Sequence, residues 1–396
     1  MNEVAELELP TQENIRTDLR SVFQGTIRVV LERILEEEIR SMVGAKKWER
    51  QAQRVGSRNG TNLRRLITSM GAVDLEVPRS REGGSAGTAI FGRYKRRTQD
   101  VDDTIVSAYV HGASTRDIGQ ITETLMGEHV GRSTVSRVAK SLGDKVEELR
   151  KAPIVGPIPY LFLDATSLDA RWARTVENVS ALVAYGIGLD GHRQLLAVTI
   201  GSEKSEDSWS ELLTQVNERG LSGVRLAVAD AQSGLAKAVR RHLPEVPLQR
   251  CTVHIMRNVL TQTPRRLRGR MAREVSRVFD APSKPEARKR LEQLRPGPGR
   301  QVSEAMACLT NGFGAATHLC AFPREHWHRI RSTDRLERLH GEVKRRTNAV
   351  GAFPDRASAL RLAAAVALNN AALWAARRYL DMSLLQQEEG LVTKAA

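Results

Sequence analysis

The chain has 396 residues, enough for two or three domains with a sizeable core. Its 61 Lys+Arg against 46 Asp+Glu give a formal charge of +15, an excess that implies an anionic partner, most often nucleic acid. No run approaches the length of a membrane span, the start (MNEVAELELP) is acidic rather than signal-like, and Cys251, Cys308 and Cys320 make no disulfide framework, which excludes a membrane protein and a disulfide scaffold and implies a soluble cytoplasmic protein. At 4% aromatic residues, a base-stacking surface for single strands is disfavoured.

In chain order, residues 1 to 25 are polar and read as loose. From Ile27, apolar residues at Val30, Leu31, Ile34, Leu35, Ile39 and Met42 predict a helix that stops at Gly44. A basic patch follows at Lys46, Lys47, Arg50, Arg54, Arg58, Arg64 and Arg65, interrupted by Gly56 and the turn pair Asn59-Gly60. Ile67 to Pro78 suits a hairpin strand, Gly83 to Gly87 a loop, and Arg93, Lys95, Arg96 and Arg97 form a second basic cluster. Basic residues amid turns suit phosphate contacts, although such runs are commonly just solvated surface.

Residues 101 to 149 read as helical. Thr115 to Leu125 places Ile118, Ile121 and Leu125 on one face; after Gly127 and Gly131, Ser133 opens a helix with Val135, Val138 and Leu142 inward and Arg132, Thr134, Ser136, Arg137 and Lys140 outward. Two short helices about a turn, the second basic, fit a helix-turn-helix, a pattern shared by any helical hairpin. Pro153 to Pro159 (PIVGPIP) reads as a linker.

Ile158 to Thr166 (IPYLFLDAT) is a buried strand ending in Asp164, and Val224 to Ala231 (VRLAVADA) repeats the design with Asp230. Between them, Val179 to Leu189 and Gln194 to Ile200 flank the hairpin turn Asp190-Gly191, and Asp207 to Arg219 is an amphipathic helix carrying Trp209 as a core residue. Ser233 to His242 is a helix, Val246 to Gln249 a short strand, and a helix runs on from Thr252. The order predicts an α/β sheet with an antiparallel hairpin and parallel partners. Ligands of such sheets bind beyond the carboxyl ends of strands, where a single Asp reads as a helix cap but the pair reads as a site for a hard cation such as Mg²⁺.

From Pro264 to Arg300 the chain is helical and basic until Pro296 to Gly299 breaks it, and Ser303 to Leu319 is again helical. In Ile330 to Phe353, Leu336, Leu339, His340 and Val343 line one helix face, with Glu337 at its margin and Arg335, Arg338, Lys344, Arg345 and Arg346 around it. Glu337 is either a third metal-binding carboxylate or, with Asp334 as N-cap, the partner in a capping box. Residues 356 to 382 form a closing Ala-rich helix.

With Asp164, Asp230 and Glu337 laid out, the sequence resembles bacterial insertion-sequence transposases of the Mutator superfamily, from about residue 40 to 365. The likeness rests on RNG at Arg58 to Gly60, GASTRDI at Gly112 to Ile118, YLFLDA at Tyr160 to Ala165, VADAQSGLAKAV from Val228, QRCTVHIMRN from Gln249, and the Ile330 to Phe353 segment, in that order. Asp334 replaces a usual Asn, and Ala231-Gln232 a usual Gly-His.

The resemblance implies an α/β RNase H-like catalytic core with a helical insertion, preceded by a mostly helical DNA-binding region. The divisions are a basic region over 1–100, a helix-turn-helix-like domain over 101–152, the core over 158–258 and 330–396, and the insertion over 259–329. It implies Asp164, Asp230 and Glu337 as catalytic metal ligands for Mg²⁺, with Mn²⁺ able to substitute. Water would free a 3′-OH at the transposon end, and that 3′-OH would attack target DNA. Transposon-end DNA and target DNA are the implied partners, held by a homo-oligomer in the bacterial cytoplasm at the nucleoid. Arg58, Arg132, Arg137, Lys140, His254, Arg338, Lys344, Arg345 and Arg346 are candidate DNA contacts. Cys251 and His254 form C-x-x-H, an auxiliary pair; a zinc site would need two further ligands from Cys308, His318 or Cys320 and is disfavoured. The competing readings are a DNA-binding regulator with an inactive nuclease-like domain, and a nuclease or resolvase without strand transfer.

Overall fold

The computed structural model describes residues 12–49, 54–81, 84–86, 95–172, 175–201, 205–230, 232–294, 300–350 and 353–385. Arg50, Gly83, Gly87, Arg93, Ala231 and Pro296 to Gly299 lie outside them. The chain divides into two compact units, the first ending at Ala139 and the second beginning at Lys140.

In the first unit, helix α1 (Gln12–Val43) begins well before the predicted start at Ile27. Polar composition hides the first turns, because a surface helix needs only one apolar stripe. That stripe is Ile27, Leu31, Leu35, Ile39 and Val43, while Val30, Ile34 and Met42 are exposed. It packs on an antiparallel hairpin, β1 (Arg58–Thr68) and β2 (Gly71–Ser80), through Leu66, Val73, Leu75 and Val77. Asn59-Gly60, expected in a turn, lies inside β1, where the register shifts between Arg58 and Thr61 and Gly60 adopts φ +70°. A bulge explains the motif: it inserts a residue and favours a glycine in the left-handed region. A short strand, β3 (Gly84–Ser85), extends the hairpin.

Three helices complete this unit: α2 (Gln99–Val110), α3 (Thr115–Met126) and α4 (Arg132–Ala139). A reciprocal capping box of Ser114 and Asp117 starts α3, and Gly127 at φ 69° ends it. The buried row of α3 is Ile118, Thr122 and Met126, so Ile121 and Leu125 face outward, contrary to the periodicity. Thr122 takes the inward place because its hydroxyl is satisfied locally, donating to Gly119 O and accepting from Val130 N. The helix predicted to run from Ser133 through Leu142 is broken between α4 and α5 (Leu142–Lys151), and α5 belongs to the second unit.

The second unit is built on a five-stranded sheet of order β6-β5-β4-β7-β8. Strands β4 (Tyr160–Trp172), β5 (Thr175–Ile187) and β6 (Arg193–Gly201) are an antiparallel meander, and β7 (Leu226–Ala229) and β8 (Leu248–Arg250) add parallel to β4. This is the predicted mixed sheet, with Asp190-Gly191 turning between β5 and β6 and Gly191 at φ +78°. Alternation splits the faces. Leu161, Leu163, Leu182 and Ala184 pack with Trp209, Leu212, Leu213, Leu235 and Val239 from helices α6 (Glu206–Glu218) and α7 (Ser233–His242). The even residues face the other way. Phe162 stacks on its cross-strand partner Tyr185, which meets Trp374 of the closing helix α14 (Arg356–Ala375), and Tyr160 Oη lies 2.8 Å from His326 Nδ1.

Beyond β8 the chain forms α8 (Thr252–Gln262), α9 (Arg268–Phe279), α10 (Lys284–Gln293), α11 (Arg300–Ala316) and α12 (Arg324–Ile330), then α13 (Asp334–Val350). Helices α8 to α11 share their own core of Ile255, Val259, Met271, Val275, Leu309 and Phe313. Basic residues sit outside it, which is why this stretch reads as charged yet folds.

Trp209 is fully buried under the sheet. Trp209→Ala is expected to destabilise the second unit by about 3–5 kcal/mol, read from the shift of its denaturant transition.

Candidate active site

Register builds the site. The last β4–β7 pair is Leu163–Ala229 and the last β7–β8 pair is Ala229–Arg250. The next residue on each strand is therefore Asp164, Asp230 and Cys251, one row across three neighbouring strands spaced roughly 4.8 Å apart. The sequence places Asp164 at the end of its strand. Instead β4 continues eight residues further along β5, to Trp172, and what ends at Asp164 is only the parallel pairing. Asp164 shares the face of Tyr160 and Phe162 and is 5% exposed. Ala165 N donates to its Oδ1 at 2.9 Å.

Two helices meet this row. Cys251 N donates to Ala229 O, Thr252 N donates to Arg331 O, and Thr333 N donates to the buried Cys251 Sγ at 3.4 Å. These bonds start α8 and α13 side by side. From α8 come His254 and Arg257, from α13 Glu337 and His340, each pair one turn apart on one face. His254 Nε2 lies 3.4 Å from Glu337 Oε1 and 3.9 Å from Asp230 Oδ2. Arg257 Nη2 donates to Glu337 Oε2 at 3.1 Å. His340 Nδ1 lies 3.4 Å from Asp164 Oδ2. Sequence reasoning does not single out Arg257 and reads His340 only as part of an apolar face. One signal is present: each lies three residues from a candidate site residue.

The capping-box reading of Glu337 does not hold. Its backbone N donates to Thr333 O, as does that of Leu336, so Thr333 rather than Asp334 precedes the helix. The carboxylate turns instead to Arg257, and Asp334 lies 3.6 Å from Arg338. Glu342 points elsewhere: Arg345 and Arg346 both grip it, and they hold it down at about 2, Arg345 most strongly.

His254 carries the strongest perturbation in the site. Its pKa is raised to about 9, first by the Cys251 side chain beside it and then by the charges of Asp230 and Asp164, against the opposing effect of burial. Its Nδ1 and Glu337 Oε1 are nonetheless buried without a hydrogen bond, so the 3.4 Å contact is an ion pair and not a directed bond.

Three carboxylates are hard oxygen donors, and a buried Glu337 oxygen without a hydrogen-bond donor is a position a cation would satisfy. Asp230 and Glu337 flank His254, and the three carboxylates do not converge: among the described residues no group of three or more His, Cys, Asp or Glu stands ready to hold a metal ion. Of the residues weighed for zinc, Cys251 Sγ accepts from Thr333 N and His318 Nδ1 lies 3.0 Å from Leu248 O.

Of the candidate DNA contacts, Arg132, Arg137, Lys140, Arg338 and Lys344 are exposed. Arg58 is largely covered and pairs with Glu36 at 2.7 Å, tying β1 to α1. Arg346 is buried and Arg345 exposed, both engaged by Glu342. His254 is turned to the carboxylates of Asp230 and Glu337.

The second unit is thus a mixed α/β protein with an acidic site at its strand ends, in a chain of strong positive charge. The chain belongs to the Mutator family of transposases, whose family model matches residues 1–377. It is 34% identical over 371 residues to the transposase for insertion sequence element ISRM5 of Rhizobium meliloti, covering 93% of each chain. It is 32% identical over 367 residues to the transposase for IS256 in transposon Tn4001 of Staphylococcus aureus, covering 91% of this chain and 93% of that one. To the IS1081 transposase of Mycobacterium tuberculosis it is 31% identical over 390 residues, covering 94% and 90%.

Because the His254 pKa is raised from 6.5 to about 9, its contribution to stability is complete below 6.5 and is lost as pH rises through 9. With a chelator present, the stability advantage of the native chain over His254→Gln is expected to shrink from about pH 6 to about pH 9.5, measured as urea midpoints.

Proposed function

We propose that this protein is the transposase of an insertion sequence, binding the element's terminal inverted repeats and catalysing Mg²⁺-dependent strand cleavage and 3′-OH transfer into target DNA. One observation carries the reading: Asp230 and Glu337, far apart in sequence, both flank His254, and Asp164 stands in the same row on the neighbouring strand, in a chain of the Mutator family. The strand order, with three antiparallel strands followed by two parallel ones, is compatible with an RNase H-like core. Asp164 and Asp230 on the strand row, with Glu337 from α13, would hold Mg²⁺ or Mn²⁺. Cations held there would supply activation of the attacking oxygen and neutralisation of the leaving one.

The rest falls to the chain's own side chains. Asp164 is fixed on a rigid strand and sets the origin of the site. Arg257 holds Glu337 and, being more than half exposed, also presents positive charge at the mouth. Lys344 and Arg338 on the same helix as Glu337 would grip flanking phosphates. Arg132 and Arg137 on α4, the second helix of the helix-turn-helix pair, would face the end DNA. Since strand transfer needs two ends held together, the active species is a homo-oligomer on DNA. No helix among the described residues is long and apolar enough to cross a membrane.

The direct test is cleavage of a labelled transposon-end duplex with Mg²⁺. Asp164→Ala, Asp230→Ala and Glu337→Ala should each lower nicking by about 100-fold or more, several kcal/mol of transition-state stabilisation, while end binding persists. A native chain that binds ends and never cuts would be a regulator instead.

Arg132→Ala and Arg137→Ala should weaken end binding and flatten its salt dependence, the slope of log K against log salt falling by about one for each phosphate that the variant leaves unneutralised. Fluorescence anisotropy over a salt series reads this, and an unchanged slope removes both residues from the interface.

A further inference from the structure

The helical insertion carries Arg265, Arg266, Arg268, Arg270, Arg273 and Arg277, all exposed, with no lysine and one acid, Glu274, in the same stretch. Met271, Val275 and Val278 turn α9 into the core that α8 to α11 share. Arg270, Arg273 and Arg277, spaced three and four apart, therefore form a row on the opposite face, about 10 Å long at 1.5 Å per residue. Like charges one turn apart repel, and a solvated helix face ordinarily mixes both signs, so folding alone does not account for the row.

The acids nearby leave the row available. Arg277 Nη1 lies 3.3 Å from Glu274 Oε2 with its side chain 72% exposed, and exposed pairs of this kind contribute little and exchange readily for another anion. Asp280, at the end of α9, is taken by Arg331 at 2.9 Å. Between α9 and α10 lies a recess of about 290 Å³, lined by Arg270, Arg277 and Arg290 with Glu274 and Gln293. Arg290 is fixed in its wall: Nη1 donates to Arg277 O at 2.8 Å and Nε to Glu286 Oε1 at 3.1 Å. The recess has roughly ten times the volume of one water molecule, room for a hydrated phosphate group.

The residue type selects the ligand. A guanidinium offers a planar fork of donors that matches two phosphate oxygens at once, which an ammonium does not. A row of one repeated residue meets what duplex DNA repeats whatever its sequence, the phosphates, and phosphate contacts hold without reading bases. From Arg265 to Phe279 there is no Asn or Gln to read an adenine edge. The face also adjoins the acidic site. α8 leads from Arg257, the partner of Glu337, to Arg265 eight residues on (265 − 257).

We propose that the outer face of α9 is a docking surface for duplex DNA of any sequence, Arg270, Arg273 and Arg277 each neutralising a phosphate, and that the DNA it holds is the target. The assignment to target rests on the reading of the chain as a transposase whose α4 recognises the element's ends.

The test needs no metal. Fluorescence anisotropy over a salt series compares the full native chain with a variant combining Arg270→Ala, Arg273→Ala and Arg277→Ala, on a labelled end duplex and on a duplex of unrelated sequence. On the unrelated duplex the variant should bind at least tenfold more weakly, its slope of log K against log salt falling by about three, one for each phosphate. On the end duplex it should keep its native affinity. Lysine at all three positions keeps the charge and should keep the slope.

An unchanged slope on the unrelated duplex would overturn the proposal. So would an equal loss on both duplexes, which would make the face part of the end-binding surface, or a lysine variant whose slope falls as far as that of the alanine variant. If the triple alanine variant does not fold, Arg273→Ala alone decides, with an expected fall of about one. The two readings fail separately: a native chain that binds ends no more tightly than unrelated DNA sinks end recognition, whereas native end preference with an unchanged variant slope sinks only the docking face.

Discussion

The site depends on the parallel register of three strands. Leu163, Ala229 and Arg250 are aligned by backbone hydrogen bonds, and that alignment alone makes neighbours of Asp164, Asp230 and Cys251. A slip of one residue would turn Asp164 into the face packed by Trp209 and Leu212 and expel Leu163 from it. The apolar packing of that face therefore enforces the position of the carboxylates. The two faces are specialised: one is a closed core under α6 and α7, and the other combines aromatic stacking at Phe162 and Tyr185 with the buried charge of Asp164 two residues on.

Gathering carboxylates creates an electrostatic problem that the surrounding helices answer. Asp164 meets His340, Glu337 meets Arg257, and His254 lies between Asp230 and Glu337 with its pKa lifted to about 9. His254 and Arg257 act from one helix because a turn presents residues three apart on the same side. Cys251 contributes a link between elements. Its sulfur accepts from Thr333 and so joins the start of α13 to the end of β8. Glu337 reaches the site because of that join, and its distance in sequence from Asp230 is absorbed by a helical insertion with a core of its own.

Several elements are legible because their signals are local. The Asp190-Gly191 turn, the Ser233–His242 helix and the short apolar strand before Asp230 need only propensity and short periodicity. Others mislead for equally physical reasons. A long helix with a thin apolar stripe hides its first turns, a bulge makes Asn59-Gly60 resemble a hairpin turn, and a self-satisfied Thr122 displaces Ile121 from the core. Basic residues are the least legible class. Arg58, Arg345 and Arg346 resemble Lys344 in sequence, but each is engaged by a carboxylate of its own unit.

The sequence by itself determined the class of sheet, the acids carried by its apolar segments, the net positive charge and, through motifs in order, the family. These are properties of composition, period and spacing, and they survive without knowing which parts of the chain touch. Only the tertiary structure decided that Glu337 faces the site and does not close a capping box, that Arg257 is its partner, that Glu342 is tied away, and that His340 stands against Asp164. Each of those depends on strand register and on two loops tied through Cys251, which join residues many tens of positions apart, and no local pattern encodes a distance between elements.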